Sequence, residues 1–582
     1  MTTSSSKKNS VTAFVIVTAG VLLSCITAIF GYDILPDYQD KLFHLRRLAA
    51  LAQTLKSGYF PARIYFVMNQ GTGYAMPVFY PDLFLYVPSF LVNIGVPLGI
   101  AYDIYVISIN AVTGIVTYLS VKDLLKGEKI IAAITSFVYV LSVYRLTDVY
   151  IRDAVGEYTA MAFLPFVICS FVRIYRDDDK ESGTRGLLRN ASLLGLSMAI
   201  LAETHILTTM MAAAFLFICA LILIVRTLEK RKITTLVISV LLFLGLSAFS
   251  IIPMIDYMMA DRYLVNDSSD IMRGFYPGWR DLLELIPSGS GSGIDYSMKM
   301  PTAIGPAITA ILAAWGIRFC ILLIKRLRSK ENKGSFPASF KAEILLFAAS
   351  GISLFISSKY FPWVKIGEIG GLLRDVMYTV QFSWRYIGIS TVCACMLGAL
   401  MVADMIVESK RSGYSFAVLI MLLAIVPAVI LQTRACSENR RATINRGEEI
   451  GIVSDELYFP VSWVRGMTYD ECPASAGCDV ISYARVGGDW LTEVSTASGE
   501  AALVFPVVYY KGYRAVTSAG DKLVCMQATD GRVMVMVPEG YSGTVKLQFK
   551  ESLLWKFAET ISLVTIVFVS MLIIIRKKNG GD

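Results

Sequence analysis

Gly31-Tyr-Asp-Ile-Leu-Pro-Asp-Tyr-Gln-Asp-Lys-Leu-Phe-His-Leu-Arg-Arg47 stands directly after an apolar run from Val11 to Phe30. It gathers Asp33, Asp37, Asp40 and His44, one of only two histidines in 582 residues, where a bilayer would meet water. Charges so close to hydrocarbon are costly enough to suggest use rather than accident. An acid before Lys-Leu-Phe-His-Leu also serves as an N-cap, and the pattern predicts an amphipathic helix from Asp40 to Lys56. Asp40, His44 and Arg47 are spaced i, i+4, i+7 and would share one face of it, an acid, an imidazole and a guanidinium together. The bland alternative is a salt-bridged polar face.

The rest of the chain explains the first run. Apolar residues make up 55% of the sequence and charged residues 17%, with a mean hydropathy of +0.58, which excludes an ordinary soluble enzyme. A bilayer core takes about 20 helical residues. Runs of that kind lie near 11 to 30, 101 to 121, 129 to 145, 157 to 175, 188 to 204, 206 to 225, 233 to 254, 303 to 324, 342 to 357, 385 to 407, 414 to 432 and 554 to 575, about twelve spans. The run Leu83 to Val96 is shorter, is broken by Pro88 and lacks a charged flank, so it reads as re-entrant or interfacial. Lysines and arginines fall in alternating loops, which puts both termini in the cytoplasm by the positive-inside rule. The net charge of +8 is mostly this signal and asks for no nucleic acid.

The fold class expected is therefore a polytopic α-helical membrane protein with a C-terminal extracytoplasmic β-rich domain. Residues 1–432 read as the transmembrane domain, with a large first outer loop over 31–100 rich in aromatics, Gly71, Gly73, Pro77 and Pro81. A second outer segment, Met258 to Pro301, contains a Ser/Gly run and reads as a linker or lid. Residues 433–551 alternate in short runs such as Ala502 to Tyr509, Lys522 to Met526, Arg532 to Val537 and Gly543 to Phe549, split by Gly, Asp and Pro turns. Residues 552–582 return to the membrane as a last helix with a cytoplasmic tail. Ten cysteines are scattered without a Cys-x-x-Cys pair, against a structural zinc site. Cys472 and Cys478 are near enough in sequence for a disulfide, and two free thiols are the other reading.

Three further constellations carry chemistry. Asp148-Val-Tyr-Ile-Arg152-Asp153-Ala-Val-Gly-Glu157 lies in the next outer loop, and Asp153 and Glu157, four apart, would face the same way with Arg152 as the cation between them. Ala202-Glu203-Thr204-His205 interrupts an apolar pattern at a span's outer end. Gln381-Phe-Ser-Trp-Arg385-Tyr386 sets an Arg among aromatics, a combination suited to a phosphate because the planar fork binds its oxygens bidentately. Neither a Gly-x-x-x-x-Gly-Lys-Ser/Thr loop nor a dinucleotide fingerprint is present, nor Gly-x-Ser-x-Gly or His-Glu-x-x-His. An enzyme built this way draws its energy from an activated substrate supplied in the membrane.

These motifs, with Gly58-Tyr-Phe-Pro-Ala-Arg63, the Gly73 to Tyr86 segment and Val508-Tyr-Tyr-Lys-Gly-Tyr513, resemble bacterial YfhO-type membrane proteins of the GT-C glycosyltransferase superfamily. The resemblance implies inverting transfer of a sugar from a polyprenyl-phosphate donor to an envelope acceptor (polymer, glycolipid or protein) on the extracytoplasmic face of the cell membrane. It implies an Asp of the first outer loop as catalytic base, here Asp40 with Asp33 in reserve. Arg385 and Arg152 would hold the donor phosphate, and His44, Arg47, Asp153, Glu157 and His205 would shape the acceptor pocket. The resemblance implies no certain cofactor. A divalent cation stays open, since some relatives use one but no Asp-x-Asp stands in the first loop. A transporter or flippase for lipid-linked precursors and a non-catalytic envelope scaffold are the competing readings.

Overall fold

The computed structural model describes residues 2–30, 40–176, 183–266, 276–287, 300–328, 336–337, 339–438, 456–464, 472–496, 499 and 501–578. Asp33, Asp37 and the Ser/Gly run after Pro287 lie outside these residues. The chain divides into two compact units. The first holds Met1–Leu42, Tyr102–Phe243 and Ser269–Thr443, the second Phe43–Ala101, Leu244–Ser268 and Ile444–Asp582.

Each of the twelve apolar runs folds as helix, because in hydrocarbon only intrahelical bonds satisfy the backbone. Among the described residues seven helices are long and apolar enough to cross a membrane, and up to nine spans result if two bent pairs each count as one. The protein is thus a multi-pass membrane protein, with seven to nine such spans among the described residues against the expected count of about twelve. The difference lies in the runs at 11 to 30, 188 to 204 and 206 to 225. The last forms Ile206–Ile222, only 17 residues. The Leu83 run forms a short helix to Asn93, at about 1.5 Å per residue far too short to span.

Within the first unit two spanning helices are the most enclosed, Val155–Tyr175 with 89% of its apolar window buried and Ser383–Glu408 with 72%, against 22% for Gly305–Arg328. The enclosed pair forms the centre, and the site residues Glu157 and Arg385 sit at their N-terminal ends. Lys129–Val140 and Val143–Tyr150 form one of the bent pairs, turning by 48°. Helix Gly183–Ala202 packs closely on Lys230–Leu246, since a Cβ at Gly195 would stand 2.9 Å from the Ser239 carbonyl oxygen.

The second unit holds most of helix Lys41–Lys56, helix Ala248–Ala260, two antiparallel sheets and the last helix, Leu553–Lys578. The strands are β1 Ala474–Ala476, β2 Cys478–Val486, β3 Asp489–Thr496, β4 Ala501–Val508, β5 Tyr513–Thr517, β6 Lys522–Leu523, β7 Cys525–Gln527, β8 Arg532–Val537 and β9 Ser542–Phe549. Their orders are β1-β4-β8-β7 and β2-β3-β9-β5-β6. Period-two alternation turns Leu503, Phe505, Val533, Val535, Trp490, Val494, Val545 and Leu547 inward as the core of this β region. Cys472 and Cys478 are both free thiols. Arg63 fastens the first outer segment to the last helix. Its Nε donates to Glu551 at 2.7 Å, Nη2 to Glu559 at 2.9 Å and Nη1 to the Phe249 carbonyl at 3.1 Å.

The Gly195 contact is against backbone, which cannot swing aside. Gly195→Val is expected to cost about 1–3 kcal/mol, as overpacked cores do, and thermal unfolding of the detergent-solubilised protein checks it as a lowered midpoint.

Candidate functional site

The first unit concentrates charge where Val143–Tyr150 turns into Val155–Tyr175. Arg152, in the turn, donates from Nη1 to Asp148 Oδ1 at 2.5 Å and to Glu157 Oε2 at 2.9 Å. The same Glu157 oxygen accepts from Arg385 Nε at 3.1 Å, and Oε1 accepts from the Tyr144 hydroxyl at 2.5 Å. Asp148 and Tyr144 are fully buried, and Glu157, Arg152 and Arg385 retain 9% exposure or less. Two guanidiniums therefore meet at one carboxylate oxygen inside the protein.

Local backbone sets this up. Val143–Tyr150 carries Tyr144 and Asp148 one turn apart, so both point at the following turn. That turn is closed by Asp153 at φ +52°, while the Ala154 and Val155 amides return to the carbonyls of Asp148 and Asp153. On the other side Gln381 takes φ +66° and a short 3₁₀ turn, Ser383–Arg385, aims Arg385 inward. Arg385 Nη1 is held by the Val380 carbonyl at 2.7 Å and Gln381 Oε1 at 2.9 Å. Its guanidinium lies 5.1 Å from the Phe382 ring centroid, and Arg152 lies 6.0 Å from that of Trp384.

Both forks keep capacity. Arg152 Nε and Nη2 and Arg385 Nη2 have no hydrogen-bond partner among the described residues, and none is sealed away from solvent. Asp40 adjoins them: its amide donates to the Arg152 carbonyl at 3.1 Å. Its side chain is exposed at the surface, yet protein crowds it on a wider scale. Burial raises its pKa, against the pull of Arg152 and Arg385. A carboxylate in this position can take a proton when it is ionised.

The sequence reading of the other residues meets mixed outcomes. Asp153 and Glu157 do not share a helical face, because the helix begins only at Val155 and Asp153 sits in the left-handed region. Asp153 instead accepts from the Tyr102 hydroxyl at 3.3 Å. His205 is buried as the N-cap of Ile206–Ile222, with Nδ1 2.8 Å from Thr208 Oγ1 and within electrostatic reach of Glu157. His44 and Arg47 belong to the second unit and are buried there. Arg47 lies 4.1 Å from the Tyr80 ring centroid and its Nη2 donates to the carbonyls of Tyr80, at 2.7 Å, and Pro81. It braces a loop, and its Nη2 is occupied. Sequence reasoning named Asp148 and Gln381 within their motifs but missed them, and Tyr144, as hydrogen-bond partners of Arg152, Arg385 and Glu157. The i, i+4 spacing of Asp148 and Arg152 was the available signal. No group of three or more His, Cys, Asp or Glu side chains that could hold a metal is found among the described residues.

A family model described as "Family of unknown function (DUF6541)" matches residues 3–329, more than half of the chain. The chain belongs to the DUF6541 family. The matched region contains Asp40, Arg152 and Glu157, whereas Arg385 lies beyond it. An uncharacterized protein of Lactococcus lactis subsp. cremoris (strain MG1363) is 32% identical over 102 residues, 17% of this DUF6541 chain and 16% of the relative. Among solved structures, the Archaeoglobus fulgidus oligosaccharyltransferase AglB in complex with an inhibitory peptide and a dolichol-phosphate overlaps at 13% identity and a TM-score of 0.40. That overlap covers 74% of this chain and 56% of AglB. The apo form of the A. fulgidus oligosaccharyltransferase overlaps at 13% identity and a TM-score of 0.39, over 74% of this chain and 57% of that one. The chain thus spans little more than half the length of these structures, and at such scores the likeness carries no argument about its chemistry.

Asp153 gives the site a pH signature. Burial raises its carboxyl to about 6, opposed by Lys41 and the Tyr102 hydroxyl and assisted by Asp40. The folded state then holds the proton more tightly than the unfolded chain, whose Asp titrates near about 3.9. Stability from this group is fully present below about pH 4 and is lost as pH rises through about 6, a change on the order of 3 kcal/mol. Asp153→Asn, which cannot titrate, is expected to flatten that slope when thermal midpoints are followed from about pH 4 to about pH 7.

Proposed function

We propose that this DUF6541 chain is a membrane glycosyltransferase of the GT-C type, akin to the YfhO-like proteins its motifs resemble, acting at the extracytoplasmic face. It takes a sugar from a polyprenyl-phosphate donor and passes it to an envelope acceptor. The observation that carries the reading is the meeting of Arg152 and Arg385 on one Glu157 oxygen, each with donors to spare, beside Asp40. Two forks so held suit one phosphate, and the membrane supplies the lipid that would bear it.

In this mechanism Asp40 removes the proton of an acceptor hydroxyl as its oxygen attacks the anomeric carbon. The bond from that carbon to the phosphate oxygen breaks, inverting the centre, and the polyprenyl phosphate leaves with the electron pair. Its growing negative charge is met by guanidiniums already in position, which need no reorganisation at the moment of reaction. Asp33 stands in reserve outside the described residues.

A transporter of lipid-linked precursors is the second reading, favoured by the 48° break between Val140 and Val143 and by Arg145 buried beside it. Purified protein in nanodiscs, supplied with a radiolabelled polyprenyl-phosphate hexose and envelope extract, separates the two. Turnover is expected in the parent and a loss of about 10²–10⁴-fold in Asp40→Asn. Arg385→Lys keeps the charge but not the fork, and is expected to slow turnover while the protein stays folded by gel filtration. Absence of turnover with every carrier tested, or equal rates in parent and Asp40→Asn, removes the enzyme assignment.

A further inference from the structure

The second unit carries an apolar helix face that stands exposed among the described residues. Helix Leu83–Asn93 lies against helix Lys41–Lys56 through Ser89, whose hydroxyl donates to the Leu48 carbonyl at 3.3 Å, and Asn93, whose amide donates to the Ala52 carbonyl at 3.0 Å. The opposite face presents Leu83, Val87, Phe90 and Ile94, spaced i, i+4, i+7, i+11, with exposures of 45, 70, 61 and 61%. Phe60, 76% exposed, continues this surface through its edge-to-face contact with Tyr86 at 5.6 Å. Four large side chains in one stripe are far more than the scattered exposure normal for a protein surface facing water.

We infer that this face is immersed in the acyl-chain region of one leaflet, so that the second unit is held in the membrane by an in-plane helix as well as by its terminal helix. Three observations select lipid over a second copy or another segment of the chain. From Leu83 to Ile100 no residue is charged, so nothing on the face would resist hydrocarbon. After the turn at Gly95, φ +98°, and Pro97, the chain enters the spanning helix Leu98–Leu124. That helix exposes Ile100, Ile104, Ile115 and Leu119, the surface a spanning helix turns to lipid, and the in-plane stripe is joined to it with four residues between. The helix itself covers only about 16 Å at 1.5 Å per residue, which suits lying along a leaflet and not crossing it.

Photo-crosslinking tests this. p-Benzoylphenylalanine replaces Val87 or Phe90, both mostly exposed, and in a control Tyr483, 44% exposed on β2. The protein is reconstituted in phosphatidylethanolamine–phosphatidylglycerol vesicles and irradiated. Mass spectrometry is expected to find phospholipid adducts through acyl carbons at positions 87 and 90 and none at 483. Adducts from 87 and 90 to protein, whether a second copy or this chain, overturn the inference, as does the absence of lipid adducts at both positions in protein that remains monodisperse. This outcome is independent of whether the chain transfers sugar.

Discussion

One shared carboxylate organises the centre of the helical unit. Glu157 accepts from two guanidiniums and a tyrosine hydroxyl in an interior where each ion, taken alone, would lose several kcal/mol of hydration. The arrangement survives because it is neutral as a set. Asp148 and Glu157 balance Arg152 and Arg385, and the Tyr144 hydroxyl and the Val380 and Gln381 oxygens satisfy part of what remains. Removing one member leaves an unbalanced buried charge, so the four must be present together. The charges join the turn after Tyr150, the start of the most enclosed helix and the entry to Ser383–Glu408 into one body.

The second unit solves a similar problem with different partners. Arg63, 5% exposed, satisfies its fork with Glu551, Glu559 and a backbone carbonyl, and so fixes the loop before it to the helix that ends the chain. Among the described residues Arg47 has no salt bridge and uses the carbonyls of Tyr80 and Pro81 and the face of Tyr80. Arg63 spends its fork on structural partners and Arg47 spends Nη2 on them while its Nε is sealed inside without one, whereas among the described residues Arg152 and Arg385 keep unbonded nitrogens that are not sealed in this way. That contrast, more than burial or charge, separates a brace from a candidate binding group.

What could be read from the sequence follows from which interactions are local. The apolar runs predicted helix at every position named, since length and hydropathy are local properties, but not which helices are long enough to span. The alternating runs in the C-terminal region found β4, β8 and β9 and the β6–β7 segment. They missed β1 to β3 and β5. β2 is largely exposed on both faces and so lacks the inward half of the alternation, whereas β5 alternates but is only five residues long. Arg152 and Glu157 were legible as charges at a membrane edge. Their link to Arg385, 228 positions from Glu157, was not, because no spacing rule spans two helices. Asp153 was misplaced for a precise physical reason: the i, i+4 rule assumes an unbroken helix, and a left-handed residue at that position ends the assumption.

Arg145 bears on how the break in the third apolar run should be understood. It is fully buried, and Nη2 donates to Asn110 Oδ1 at 2.7 Å and Thr113 Oγ1 at 2.8 Å while Nη1 reaches the Val140 carbonyl at 3.3 Å. Asn110 in turn donates to the Ser24 carbonyl and the Tyr150 hydroxyl, so one cation ties four helical segments together. The Val140 carbonyl is one that the break frees from helical bonding, and it turns to the guanidinium instead. A transport path needs polar groups that water or substrate can reach. Here the polar groups at the break solvate an arginine, and its remaining Nε is sealed within the bundle. The break is therefore spent on holding Arg145, whereas among the described residues Arg152 and Arg385, at the end of the bundle beside Asp40, keep unbonded nitrogens that are not sealed within it.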